Sequence, residues 1–461
     1  MWIPSRGFYG QYLYGRNFTS LSERSEALGE ALCVIYGIAD ETRSRVVIEK
    51  TPVTEFGITC IFPQTPGIPP YHNDAIWPFV ESYWAWASAI AHNLRSVTCA
   101  VSSVYRAAAF FLTNKENMVA GTGDFMGTQI NSSRQLWSVA GNLAIVYRVL
   151  FGMKFYSDSL QFSPCVPAAF TGTKDLTNLR YRNSILNVTV EGTGDEVDYM
   201  TLDDVRIGGR SIPSTLHGSH RVFIRMSSGP VVEGNVDMEK DSFAPGTPAV
   251  RVEGDSIKWT AVEGAASYEV YRNGVKLANV RDSSFAVNEN HGYSEYQVLS
   301  LSPGGTGSFL SEPAVFDSMA ICVQGENKFA SADTDYHGFT GRGYINLSGK
   351  GRDSLVYNVE CPDSGLYSID FRYANGNGPI NTDNKCAIRT LKIDGRNAGI
   401  VVMPQRGEGN WQDWGYSNPV HVRMSRGRHT FVLYFDRHDN NMNGSVNSAL
   451  LDSFRMIMIS K

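Results

Sequence analysis

"KENMVAGTGDFMGTQINSSRQLWSVAG", residues 115–141, sets one glutamate, Glu116, at the head of a run of small, polar and glycine residues. The run then turns into an apolar stretch that opens with Trp137. Its glycines and Asp124 predict an irregular loop. "SSRQLWSVAGNLAIVYRVLFG" predicts a helix closed by Gly152, a natural C-cap. A carboxylate on a loop just ahead of a buried helix calls for a reason.

Working outward, residues 1–160 read as helical. "SLSERSEALGEALCVIYGIAD" offers Ser22 as an N-cap, and Leu28, Ala31, Leu32 and Ile35 share one face. "HNDAIWPFVESYWAWASAIAHN" predicts a second helix, capped by Asn73 or Asp74, with Pro78 tolerated in its first turn. "LRSVTCAVSSVYRAAAFFL" predicts a third. Trp84 repeats the face of Trp77 seven residues on, so packing between helices is expected of it, and a salt bridge of Glu81. The loop "FPQTPGIPPYHND" is long and rich in Gly and Pro, the kind of connection that carries sites.

Past residue 160 the pattern turns to alternation. "SILNVTVEGTGDEVDYMTLDDVRIGGRSIP" predicts a small β-sandwich over residues 161–243. "FAPGTPAV" reads as a linker into a third unit, 244–316, with an Asn273–Gly274 hairpin turn. Residues 317–461 alternate again in "SLVYNVECP" and "HTFVLYF", which predicts a two-sheet sandwich. The loops "YANGNG" and "GNWQDWG" would set amide and aromatic groups on one rim.

Composition agrees with several ordinary cores. The chain has 461 residues, where single domains typically hold ~100–200. Net charge is -5 and no long basic run occurs, which argues against nucleic acid or an anionic membrane as partner. No apolar run is long enough to span a membrane. Aromatic residues make up 11%, which suits β-sandwich cores and also stacking on sugar rings. The seven cysteines show no metal-site spacing; they read as buried thiols, with one disulfide expected in the last unit.

Two stretches give the helical part a family resemblance. "PYHNDAIWPFVESYWAWASA" resembles the loop-to-helix element of (α/α)6 six-hairpin glycosidases, the barrel shared by glucoamylases, trehalases, family 63 α-glucosidases and glycogen-debranching enzymes. The opening stretch resembles their glutamate, glycine loop and "W-S-x-A" helix start, here Glu116, Gly121 to Gly127, and Trp137-Ser138-Val139-Ala140. The implied fold is multidomain: a partial α-helical (α/α)6 barrel followed by three all-β sandwich modules. By the resemblance Glu116 is the general base of an inverting glycoside hydrolase, deprotonating the water that attacks the anomeric carbon. Its acid partner would lie roughly 6.5–9.5 Å away. Tyr71, His72, Asn73 and Trp77 would line the sugar subsite, with Asp124 and Gln135 beside it. Asp124 is the rival carboxylate, and its "GTGDF" setting equally suits a turn. Asn73 and Asp74 equally suit helix caps; Asp74 stands where the family has glycine.

The other units carry resemblances too. "Tyr268-x-Val270-Tyr271-Arg272-Asn273-Gly274" with Trp259 resembles a fibronectin type III module, a spacer. Residues 317–461 resemble a carbohydrate-binding module of the family 6 and 35 jelly-roll type. That implies sugar contacts by Trp411 or Trp414, with Tyr373, Asn375 and Asn447, and a structural calcium at Glu326 and Asp452. No cofactor is implied for catalysis.

A barrel of six hairpins needs more chain than residues 1–160 supply, judged by usual helix and loop lengths. No carboxylate in residues 1–60 has the context of the acid. The expectation is an N-terminally truncated glycosidase, whose parent is periplasmic or extracellular although "MWIPSRGFYGQYLYGR" is no signal peptide. The partner is then a glycan. The alternatives are a non-catalytic carbohydrate-binding protein and a glycoside phosphorylase.

Overall fold

The computed structural model describes residues 1–229, 233–287, 293–317, 320–326, 332–348, 354–378 and 384–461. Its α-helices lie in the first 150 residues and everything beyond is dominated by strands.

Helix α1 (Ala27–Ile35) starts at Glu26, not Ser22. The Glu26 carboxylate accepts from the free amides of Leu28 and Gly29, while Ser22 lies just beyond the strand Thr19–Leu21. Helix α2 (Glu41–Lys50), capped by Asp40, was hidden in a polar sequence in which only Ser44, Val47 and Ile48 are buried. Helix α3 (Pro78–Ile90) carries Pro78 in its first turn as expected, but neither Asn73 nor Asp74 caps it. Helix α4 spans Leu94–Phe111, capped by Asn93, and α5 spans Leu136–Ala144 and runs into a π-helical turn, Ile145–Leu150. Gly152 follows with φ 59°; a β-carbon there would stand 1.9 Å from the Ser163 carbonyl, so only glycine fits.

Helix α3 is central, with α1, α4 and α5 packed on it. Trp77, Trp84, Val97, Val101, Ile145 and Val149 share its core. Glu81 makes no salt bridge among the described residues. It is buried and accepts from the Ile58 amide at 2.5 Å, and burial pushes its carboxyl well above the usual range. Gly57 makes room for it, since a β-carbon there would meet Glu81 Oε1 at 2.0 Å.

The β part holds three further cores. The first joins the sheet Met153–Phe155, Ser159–Phe162 and Ser211–Pro213 to a five-stranded sheet in which Asn183–Glu191 and His217–Met226 run parallel. The second sets three strands, 250–286, against four, 267–317, around Trp259, Tyr268 and Tyr296. Asn273 (φ 50°) and Gly274 (φ 77°) form its hairpin turn. The third pairs a sheet built on Gly365–Ala374 and Ala449–Ser460 with a four-stranded sheet, around Phe371, Phe431, Phe454 and Leu391.

The hairpin Leu13–Leu21 leaves the helical part and inserts between the last two units. Arg16 pairs with Asp370, and Asn17 donates from its amide to Glu295 and from its side chain to Tyr293. All seven cysteines are free, so the expected disulfide in the last unit does not form; Cys361 and Cys386 are buried separately in its core. No helix among the described residues is long and apolar enough to cross a membrane.

Candidate functional site

Two short pairings set up the region around Glu116. Ala75 and Ile76 pair with Val119 and Met118, and the Gln129 amide donates to the Pro70 carbonyl. The loop after α4 is thereby laid over the loop that leads into α3. Glu116 N donates to Ser132 O at 3.0 Å, and Ser132 N donates back to Glu116 Oε2 at 2.9 Å. The Tyr71 hydroxyl donates to Glu116 Oε1 at 3.0 Å. Burial and this carboxylate hold the Tyr71 hydroxyl above its ordinary value, so it remains a donor.

The aromatic groups gather beneath. The Trp77 indole donates to the Tyr71 carbonyl at 2.6 Å. Its ring meets Tyr71 edge-on, His72 in a stack at 5.2 Å, and Trp137 at 5.5 Å. Trp77 is 2% exposed, so it is the floor of this cluster and offers no free face. His72 is exposed and Trp137 is 46% exposed. These two, with the Tyr71 hydroxyl, are the groups a sugar could touch from solvent. Glu116 itself is 4% exposed.

Three expected contributors do other work. Asn73 bridges the Thr65 amide and the Thr65 and Ile68 carbonyls, which shapes the proline-rich loop. Asp124 accepts from the Met126 amide at 2.9 Å, an Asx turn. Gln135 ends the loop by donating from its backbone to Asn114 O. What the sequence concealed is Ser132, whose amide holds Glu116 from 16 residues away. A backbone donor has no residue-type signal.

Asp74 faces a second carboxyl, Asp241, on the segment that follows the first β unit. Burial and Asp241 push Asp74 up to about 7. That segment is strapped to the helical part, with Glu239 N donating to Val53 O and Gln64 N to Ser242 O.

On the last sandwich, Trp411 and Trp414 lie half-buried on one rim with Tyr336, Phe339 and Tyr344. Tyr336 stacks near Trp411 at 6.2 Å. The Trp414 indole donates to His337 O at 2.8 Å. Tyr373, Asn375 and Asn447 are buried. Asn375 donates to the Lys385 and Met403 carbonyls. Asn447 accepts from Ile388 N and Arg389 and donates to Asp439 O. Both amides are thus engaged with the protein's own backbone. Tyr336, a further rim ring, was not foreseen.

The expected calcium residues flank one loop. Asp452, fully buried, accepts from Thr340 N at 2.7 Å, Thr340 Oγ1 at 2.9 Å and Arg372 Nη1 at 2.5 Å. Glu326 accepts from Arg342 N on Oε1, and its Oε2 is buried without a partner. Calcium takes about six to eight oxygens. One orphaned oxygen beside a carboxylate already paired with a guanidinium does not fit that demand, and no cluster of three acidic, His or Cys groups occurs among the described residues.

No protein-family model matches the chain. Two cycloisomaltooligosaccharide glucanotransferases of Niallia circulans are similar to part of it. One is 28% identical over 106 residues and the other 32% over 104, in each case 23% of this chain and 10% of the relative. The chain therefore spans about a tenth of the length of the curated relatives it matches. Among solved structures, a family 35 carbohydrate-binding module from Cellvibrio japonicus Abf62 is 23% identical, covering 30% of this chain and 93% of that one with a TM-score of 0.24. The chain is rich in β-sandwich units and similar in part to these carbohydrate-active enzymes.

Proposed function

We propose that the protein acts on glycans, with a glycosidase-type site centred on Glu116 and a glycan-binding rim on its last sandwich. The observation that carries the first part is the contact of Tyr71 with Glu116 at 3.0 Å, directly above the His72–Trp77 stack. A carboxylate, a hydroxyl donor and exposed rings meet there, which is the equipment of a saccharide site.

In the inverting reaction Glu116 takes a proton from water as the water oxygen bonds to the anomeric carbon. The glycosidic bond breaks, and an acid gives its proton to the leaving oxygen. Tyr71 and Ser132 hold the carboxylate so that one lone-pair direction stays defined. The helices form part of an (α/α)6 barrel in this reading, and a second carboxyl group serves as the acid. The division at residues 1–160, 161–243, 244–316 and 317–461 belongs to the same reading and is supported by four separate cores. The third unit is a fibronectin-like spacer, and the protein works in the periplasm or outside the cell.

The rim of Trp411, Trp414 and Tyr336 binds the glycan, with isomalto-oligosaccharides the first class to try, given the name of the relatives. A purely binding role is favoured by one observation: both Glu116 oxygens already accept hydrogen bonds in a buried setting. Hydrolysis of isomalto-oligosaccharides by the protein and by its Glu116→Gln variant separates the two. Loss of turnover in the variant supports the hydrolase; binding without turnover in both supports the binding protein.

A further inference from the structure

Asp452 is a fully buried carboxylate on the strand Ala449–Ser460 of the last sandwich, facing the loop that carries Thr340. A buried charge needs a counter-charge and hydrogen bonds for its remaining lone pairs. Arg372 on the adjacent strand Gly365–Ala374 supplies the charge, Nη1 to Oδ2 at 2.5 Å. Its other terminal nitrogen, Nη2, donates to the Gly338 carbonyl at 3.0 Å. Thr340 adds an amide and a hydroxyl to the same carboxylate. One guanidinium thus gathers a carboxylate and a main-chain carbonyl, the oxygen types that a hard cation would gather.

We propose that Arg372 is a built-in replacement for a metal ion: its guanidinium fills the cation seat of the last sandwich, makes that unit independent of calcium, and positions the Trp414 side of the rim. The rim part rests on the glycan-binding reading above; the cation part does not. A divalent ion at Asp452 would lie against a fixed positive charge and would have to displace it. Glu326, on the other side of the loop, keeps one unpartnered oxygen, too few for an ion by itself. Arginine is suited to the task because its planar fork holds two acceptors at once and stays charged at every working pH.

The link to the rim runs through residues 337–340. Gly338 takes the second arm of Arg372, and His337 accepts from the Trp414 indole at 2.8 Å. A β-carbon on Gly338 would stand 3.0 Å from the Trp414 ring, and the Arg372 guanidinium lies 5.4 Å from that ring's centre. The loop, the cation and the tryptophan are one packed assembly. Arg372 is a positioning residue in it and does not itself touch sugar.

The test is thermal unfolding of the full protein in excess EDTA and in excess calcium chloride, with Arg372→Met and Arg372→Lys beside it. The wild-type midpoint is expected to be the same in both media. Arg372→Met, with the seat emptied, is expected to unfold earlier in EDTA and to regain stability with calcium. Arg372→Lys restores the charge without the fork and falls between them. Isomalto-oligosaccharide affinity is expected to drop about tenfold in Arg372→Met, as for removal of a well-packed interface support. A wild-type midpoint raised by calcium, or an Arg372→Met protein as stable as wild type in EDTA, overturns the proposal. Absence of any glycan binding by wild type overturns the glycan reading instead, and the EDTA comparison still decides the cation seat.

Discussion

The Tyr71 hydroxyl and Glu116 Oε1 lie 3.0 Å apart although 45 residues separate them in the chain. That contact joins the two loops that feed α3 and α5. Removing the hydroxyl with Tyr71→Phe leaves a buried carboxylate oxygen without its donor. The expected cost is about 1–3 kcal/mol of stability and roughly a tenfold lower turnover. Urea unfolding and initial rates read the two effects; an unchanged protein on both counts speaks against the contact.

Glu30, 2% exposed, is pushed up to about 8 by burial, with Glu26 adding to it. Its folded value is above the unfolded one, so the stability it contributes is full below about pH 4.5 and is lost as pH rises to about 8. The loss is on the order of 5 kcal/mol. Glu30→Gln cannot ionise. It should match wild type near pH 4.5 and exceed it near pH 8 in chemical denaturation. A variant with the same pH slope as wild type would show that Glu30 is ionised in the folded protein.

Asp370 lies fully buried between Arg16 of the N-terminal hairpin and Arg455. Asp370→Asn strands two guanidinium groups and should destabilise by about 3 kcal/mol. Because Arg16 reaches it from the first unit, limited proteolysis should cut the hairpin Leu13–Leu21 faster in the variant. Equal cutting rates would place the hairpin's anchorage elsewhere.

The Asp74–Asp241 pair gives the strap over the helical part its own pH response. Asp74 is raised to about 7, so the pair is held together below that pH and repels above it. Amide exchange at Glu239 and Ala244 should quicken, beyond the intrinsic rate, as pH passes about 7. Asp241→Asn should flatten that rise, and a rise that persists in the variant would assign it to another group.

Much of this architecture was legible because its determinants are local. Apolar spacing marked α3, α4 and α5, Pro78 and Gly152 marked their ends, and Asn273–Gly274 marked a hairpin. Helix α2 escaped because Val47 and Ile48 are its only buried apolar side chains and no stripe betrays it. Ser22 does not cap α1 because strand residues Ser25–Glu26 intervene and the helix begins only at Ala27, where Glu26 takes the free amides. Partner choice was the illegible part. Asn73, Asn375 and Asn447 have the chemistry of sugar ligands, yet backbone groups from distant loops or strands claim them. The pairing of Arg372 with Asp452 depends on strand register, which no local pattern announces.

The direct test of Glu116 as the proton acceptor is hydrolysis of isomalto-oligosaccharides by wild type and by Glu116→Gln, with glycan affinity measured alongside. The expected result is at least about a hundredfold loss of turnover, with binding at the Trp411 rim intact. Turnover in the variant equal to wild type, or none in either, contradicts the catalytic account.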